Sequence, residues 1–153
     1  FAALLLRRML TPFATGFVDL QSPAGVGIAG VIYDYDGSVY VSDEARMMAR
    51  FKNYYFRLGN VNENSYQEMF NGELLHHIIS SACTECLPVC SECVFQPYCG
   101  ADPVRNMSEQ GDMIGFRLTN EMCRKTKSII HYLFELLHKH DPEINRIFWS
   151  WLN

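Results

Sequence analysis

The residues best suited to chemistry in this chain are its six cysteines, five of which lie between positions 83 and 99. They are Cys83, Cys86, Cys90, Cys93 and Cys99, with Cys123 following after a gap. The first four form two C-x2-C pairs separated by three residues. A C-x2-C pair lets two thiolates from one tight turn bind the same metal centre. Clustered thiolates select soft metals, chiefly zinc or iron–sulfur clusters.

A disulfide scaffold is the main alternative, because the number of cysteines is even. Disulfides between such close residues close loops too short to add much stability. The chain also shows no sign of export, since its apolar opening precedes Arg7 and Arg8, the reverse of the order in a signal peptide. We therefore favour metal or cluster binding in a cytoplasmic protein.

Composition limits the partners of the chain. Its 153 residues, 48% of them hydrophobic, suffice for one domain with a buried core. The formal net charge of −4 argues against nucleic acid as the main partner, because phosphate binding needs a basic face. No apolar stretch approaches the length that spans a membrane. The chain begins with Phe1 and a short amphipathic segment that runs into Pro12, so we expect residues 1–16 to be the tail of a truncated upstream domain.

One set of four cysteines forms a coherent group of ligands. Cys90-x2-Cys93-x5-Cys99 supplies three thiolates from one loop, and Cys123 supplies a fourth from the start of a helix. We expect that helix to run from about Asn120 to His140, because apolar residues recur along it with helical spacing. Ligation from both a loop and a helix would fasten the irregular middle of the chain to its C-terminal part. Four thiolates suit a [4Fe–4S] cluster, and they also suit tetrahedral zinc.

The remaining patterns predict an α+β fold with a small antiparallel β-hairpin, a cysteine-rich metal-binding loop and C-terminal helices. Asp36-Gly37 between two strand-like runs is a strong hairpin signal. Ser65-x2-Glu68 is a capping box, and it predicts a helix that continues to about Ser81. Residues 16–20 are predicted to form a short buried strand. Asp141-Pro142 predicts the start of a last helix, with the aspartate as N-cap.

The cysteine pattern resembles the SPASM domain, the C-terminal extension of radical SAM enzymes that modify peptides. The wider sequence is similar to that of the radical SAM maturases of the His-Xaa-Ser peptide system, and the resemblance covers about residues 17 to 152. The segments that carry it are Val39-Tyr-Val-Ser-Asp-Glu44, Phe56-Arg-Leu-Gly-Asn-Val61, Gln96-Pro-Tyr-Cys-Gly100 and Phe148-Trp-Ser-Trp151. The resemblance implies that residues 17–153 form a SPASM-like auxiliary domain beside an upstream radical SAM barrel.

In SPASM domains, cysteines at the matching positions hold an auxiliary [4Fe–4S] cluster. Carried over, these ligands are Cys90, Cys93, Cys99 and Cys123. A second auxiliary cluster would need further cysteines, but Ser42, Asn64 and Pro103 stand at the places where the family has them. The resemblance thus implies a single-cluster variant. It also implies a precursor peptide as substrate and S-adenosylmethionine as a cofactor of the full-length enzyme only, with the cluster serving electron transfer, peptide positioning or both.

Two features remain outside this assignment. Cys83 and Cys86 are either ordinary thiols at a helix end, or a second metal-binding pair, or a redox pair. In a second metal site, His76 or His77 could be a further ligand. Cys86-x3-Cys90-x2-Cys93 matches the spacing of a catalytic radical SAM loop. That loop lies near the start of a barrel much longer than this chain, so we expect these 153 residues alone not to be catalytic. A zinc-stabilised, cysteine-rich interaction module without a redox role is the alternative function.

Overall fold

The computed structural model describes residues 1–11 and 17–152 of the chain. The predicted boundary between an upstream tail and an auxiliary domain, at residue 16, lies outside these residues. Helix α1 (Ala2–Leu10) nevertheless packs in the core of the molecule, since Leu5 and Leu6 are fully buried against Ile130 and its neighbours. In the described part of the chain, no helix combines the length and the apolar character needed to cross a bilayer.

The fold is α+β, as predicted, with a small antiparallel sheet of order β1-β2-β3. Its strands are β1 (Ile32–Tyr33), β2 (Ser38–Tyr40) and β3 (Arg57–Asn60). The predicted hairpin is present, with Tyr33 opposite Val39. Its turn depends on Gly37, whose φ of 83° suits glycine, and on the Asp36 carboxylate, which accepts a hydrogen bond from the Ser38 amide at 2.9 Å.

Six further α-helices follow the hairpin within the described residues. They are α2 (Asp43–Arg50), α3 (Tyr66–Phe70), α4 (Glu73–Ala82), α5 (Pro103–Gln110), α6 (Glu121–His138) and α7 (Pro142–Ser150). The long helix predicted near the C-terminus is α6, and Asn120 caps it. Asp141 caps α7 through bonds to the amides of Glu143 and Ile144, with Pro142 at the first helical position, as the sequence predicts.

Two local predictions were wrong. The capping box of Ser65 and Glu68 forms, but the helix it starts ends at Phe70, and a second helix begins at Glu73. The break falls at Asn71-Gly72, where glycine lowers helix stability. Residues 18–20 form a 3₁₀ turn instead of a strand, while Gly16 lies outside the described residues. Short apolar runs of this kind do not distinguish the two structures by periodicity.

The buried side chains form two apolar cores. One lies between the sheet and helices α2, α4 and α5, where Val41, Phe56 and Ile78 are almost fully buried. The other lies between α1, α6 and α7 and contains Leu6 and Phe148. Residues 83–102, which contain neither an α-helix nor a strand, connect α4 of the first core to α5, and they include five of the six cysteines.

Candidate metal centre

The two C-x2-C pairs adopt similar local structures. In the first pair, the amide of Cys86 donates a hydrogen bond to the carbonyl of Cys83 at 3.0 Å, and in the second, Cys93 donates to Cys90 at the same distance. Each pair therefore closes a tight turn with a cysteine at both ends. Between them, Val89 has a φ of 68°, an unfavourable conformation for a β-branched residue. The chain thus reverses sharply just before Cys90.

Cys99 is positioned by a 3₁₀ turn and a close backbone approach. Its amide donates to the carbonyl of Gln96 at 3.1 Å, at the end of the turn Gln96–Tyr98. The side chain of Tyr98 contacts Phe134 of α6 edge to face, with ring centroids 5.6 Å apart. The next residue, Gly100, lies so close to the backbone of Asp19 that a Cβ added there would stand 1.8 Å from its carbonyl oxygen. Only glycine fits at this position.

Cys123 occupies the first turn of α6. Its amide donates to the Asn120 side chain at 2.8 Å, which is the N-cap bond of that helix. The Asn120 side chain is buried and also donates to the side chain of Asn106 at 3.0 Å. Asn106 lies on α5, so this pair of asparagines fixes the start of α6, and with it Cys123, relative to α5.

These elements bring the predicted ligands together. Cys90, Cys99 and Cys123 line one narrow cavity of about 30 Å³. The fourth predicted ligand, Cys93, lies near enough for its charge to act on both Cys90 and Cys99. Three separate parts of the chain therefore contribute thiols to one region: the Cys90–Cys93 turn, the end of the 3₁₀ turn and the start of α6.

Burial and the charges of neighbouring cysteines raise the pKa of two of these thiols, Cys90 and Cys99. Burial, together with the charge of Cys123, raises the pKa of Cys99 to about 11. Burial is also the main cause that raises the pKa of Cys90; the positive charge of Arg117 opposes this effect, and the charges of Cys123 and Cys93 reinforce it. A bound metal would favour the ionised forms of both thiols, because it supplies an opposing positive charge.

The separation of these thiols bears on what they could bind. Among the described residues, no three His, Cys, Asp or Glu side chains lie close enough to hold one metal ion. In an iron–sulfur cluster each thiolate binds a different iron, so the thiols stand farther apart than around zinc.

Cys83 and Cys86 form a separate pair. Their sulfur atoms are 3.8 Å apart, and the Cys83 thiol donates to the Glu85 carboxylate at 3.4 Å. Two thiolates bound to one zinc ion at about 2.3 Å would have about this separation. His76 and His77 are both exposed on α4, and the described residues provide no third ligand that completes a metal site here. All six cysteines are free thiols in the structure.

Sequence reasoning missed two residues of this region, Arg117 and Asn106. Both are buried although neither belongs to an apolar residue type, and Arg117 lines the cavity together with three of the cysteines. A single arginine in a loop gives no signal in sequence, since its burial depends on how α5 and α6 pack. Asn120 could have been found, because asparagine before a helical run is a typical N-cap.

A larger cavity adjoins the thiols. It has a volume of about 520 Å³, and Gly100, Asp102 and Met122 line both it and the narrow cavity. Its other walls are mainly apolar, with Asp19, Glu44 and Glu109 as acidic members and Arg105 as a basic one. Burial raises the pKa of Asp102, whose carboxylate accepts bonds from the first amides of α5.

Comparison with known proteins adds no family assignment, since the chain matches no family model, no curated protein and no solved structure.

Proposed function

We propose that this chain is the auxiliary [4Fe–4S]-binding domain of a radical SAM enzyme that modifies a ribosomally synthesised peptide. Cys90, Cys93, Cys99 and Cys123 are the cluster ligands. The observation that carries the proposal is that Cys90, Cys99 and Cys123 line one cavity, with Cys93 near enough for its charge to act on Cys90 and Cys99. The resemblance of the cysteine spacing to SPASM domains supports the type of cluster.

The ligand set bears on what the domain does. Four protein thiolates leave no iron open to bind substrate, so the cluster supplies electron transfer or structural support instead of direct ligation. Partial burial of the thiols lowers the local dielectric, which is one of the means by which a protein tunes such a centre. The chain's own residues hold the centre at the junction of α5 and α6.

Peptide positioning is the second part of the proposal. The cavity of about 520 Å³ is large enough for a side chain of a peptide, and it adjoins the thiols through Gly100 and Met122. Its mainly apolar walls suit an apolar side chain, while Asp19, Glu44 and Arg105 add charges of both signs. In the full-length enzyme, the upstream barrel would supply the S-adenosylmethionine site, in the cytoplasm.

Cluster content is tested by anaerobic preparation of the 153-residue chain, followed by iron and sulfide analysis. The proposal predicts four irons and four sulfides per chain. Stoichiometric zinc that survives reconstitution, with neither iron nor sulfide, would instead establish the zinc-stabilised interaction module. That alternative has one observation in its favour, namely the 3.8 Å separation of the Cys83 and Cys86 sulfur atoms.

A second experiment tests whether the chain is catalytic by itself. The reconstituted protein is incubated with a strong reductant and S-adenosylmethionine, and we expect no 5′-deoxyadenosine. Cys86 lies beside Cys83 in the structure, which argues against its forming a catalytic loop with Cys90 and Cys93. Formation of 5′-deoxyadenosine would show that those three cysteines hold a catalytic cluster and that the ligand assignment is wrong.

A further inference from the structure

Arg117 is a buried cation at the thiol site. Only 8% of its surface is exposed, and its side chain lines the narrow cavity with Cys90, Cys99 and Cys123. It lies in the connection between α5 and α6, three residues before the N-cap of α6. A charged side chain is rarely buried to this extent without a partner of opposite charge. The buried guanidinium of Arg117 therefore requires an anionic group close to it.

The hydrogen bonds of Arg117 leave part of its guanidinium unused. One terminal nitrogen, Nη2, donates to the carbonyl oxygen of Ile114. The Nε atom is buried and has no hydrogen-bond partner among the described residues. A buried donor without an acceptor costs about 1–3 kcal/mol. The structure thus contains an unused donor beside the thiols.

No carboxylate takes the role of partner. Within residues 1–11 and 17–152, none of the ion pairs involves Arg117. Asp102 is the carboxylate that also lines the cavity, but its Oδ1 accepts hydrogen bonds from the amides of Val104 and Arg105 at the start of α5. Cys90, Cys99 and Cys123 line the same cavity as Arg117, so their sulfurs, once ionised, are the anions left to pair with it.

The surrounding amides hold the Arg117 side chain in this place. The carbonyl of Ile114 accepts from Arg117 and also from the side chain of Asn106, at 3.2 Å in the second case. Asn106 in turn accepts from Asn120, the residue that caps α6 before Cys123. One buried network therefore positions both a ligand and the arginine, which is the kind of support that a preorganised site needs.

We propose that Arg117 donates its Nε–H to the thiolate sulfurs of the loaded centre and compensates part of their negative charge. This inference rests on the proposed function and deepens it. Reduction adds a negative charge to the centre, so a nearby cation stabilises the reduced form most. Arg117 therefore raises the reduction potential of the cluster, and it also strengthens metal binding by stabilising the thiolates.

The test compares Arg117→Met, which removes the charge at similar volume, with Arg117→Lys and with Lys127→Met as a matched control. Lys127 also acts favourably on Cys90 but is exposed, so solvent screens its charge. The midpoint potential of each reconstituted protein is measured by redox titration with electron paramagnetic resonance. We expect Arg117→Met to lower the equilibrium constant for reduction of the cluster about tenfold. For a one-electron step, this lowers the midpoint potential by about 59 mV. Arg117→Lys should recover part of this shift, and Lys127→Met should shift the potential much less.

Binding of cobalt(II) is measured from the absorbance of its charge-transfer bands with thiolates. It tests the role of Arg117 separately from the proposed cluster. Wild-type protein that takes up cobalt but no cluster would overturn the proposed function. The role of Arg117 would still stand if Arg117→Met bound cobalt about tenfold more weakly than Lys127→Met. Potentials and cobalt affinities that are equal in Arg117→Met and Lys127→Met would overturn the inference. If Arg117→Met does not fold, Arg117→Lys takes its place, because lysine keeps the charge but lacks the Nε–H donor. A midpoint potential and a cobalt affinity equal to those of the wild type in Arg117→Lys would then overturn the donor role of Nε.

Discussion

Asn120 and Asn106 form a buried pair of side chains, joined by a hydrogen bond of 3.0 Å, that connects α5 to the helix carrying Cys123. The same Asn120 side chain accepts the amide of Cys123 at 2.8 Å. The position of Cys123 therefore depends on one side chain that serves both as a helix cap and as a contact between helices. Asn106 completes the arrangement by donating to the carbonyl of Met113 at 2.9 Å.

Asn120→Ala should lower both stability and metal affinity. Loss of the cap and of the partner of Asn106 is expected to reduce the free energy of unfolding by about 2 kcal/mol. Chemical denaturation of the metal-free protein measures this change, and cobalt titration measures the affinity. Asp141→Ala is the control, since it removes the cap of α7 in the same way but far from the thiols in the chain. Equal loss of cobalt affinity in both variants would contradict the positioning role of Asn120.

Gly100→Ala should disrupt the region around Cys99. An added Cβ would stand 1.8 Å from the carbonyl oxygen of Asp19, so the backbone of one segment has to move. We expect a loss of about 3 kcal/mol in the free energy of unfolding, together with weaker metal binding. Gly30→Ala is the control, because no atom lies within 4 Å of a Cβ built there. Similar stability of the two variants would show that this close approach does not exist in solution.

The stability of the reduced, metal-free protein should fall as the pH rises from about 9 to about 11. Burial raises the pKa of Cys99 to about 11 from a usual value of 9.0, so the folded state keeps a proton that the unfolded chain has already lost. Stability falls with pH wherever the unfolded state binds fewer protons. Burial also raises the pKa of Cys90 and Cys83, which act in the same direction.

Denaturant unfolding of wild type and Cys99→Ala at pH 8, 9 and 10 measures this dependence. The variant should lose less stability over this range than the wild type does, because one of the responsible thiols has been removed. Equal losses in the two proteins would mean that Cys99 ionises as easily in the folded state as in the unfolded chain.

The parts of the fold that could be predicted from sequence depend on local chemistry. The Asp36-Gly37 turn, the cap at Ser65 and the Asp141-Pro142 helix start each need only a few adjacent residues. The break at Asn71-Gly72 was missed because apolar residues recur with helical spacing on both sides of it. Pairing of β3 with β2, which brings Gly59 opposite Val39, also depends on contacts that no local pattern specifies.

For the candidate site, the sequence predicts which cysteines act together but not what surrounds them. The spacing of Cys90, Cys93 and Cys99 is informative because thiolates from one loop can reach one centre. The structure adds Arg117 and Asn106, whose roles arise from the packing of α5 against the start of α6. Polar residues that become buried only in the folded state carry no periodic signal. For this reason, the support of the site could not be predicted along with its ligands.

We propose that Cys90, Cys93, Cys99 and Cys123 bind one cluster and that Cys83 and Cys86 do not. The most direct measurement is the iron content of anaerobically reconstituted Cys123→Ser compared with that of Cys86→Ser. We expect Cys123→Ser to lose most of its bound iron and Cys86→Ser to retain the four irons per chain expected of the wild type. Equal iron in the two variants, or loss of iron only in Cys86→Ser, would overturn this ligand assignment.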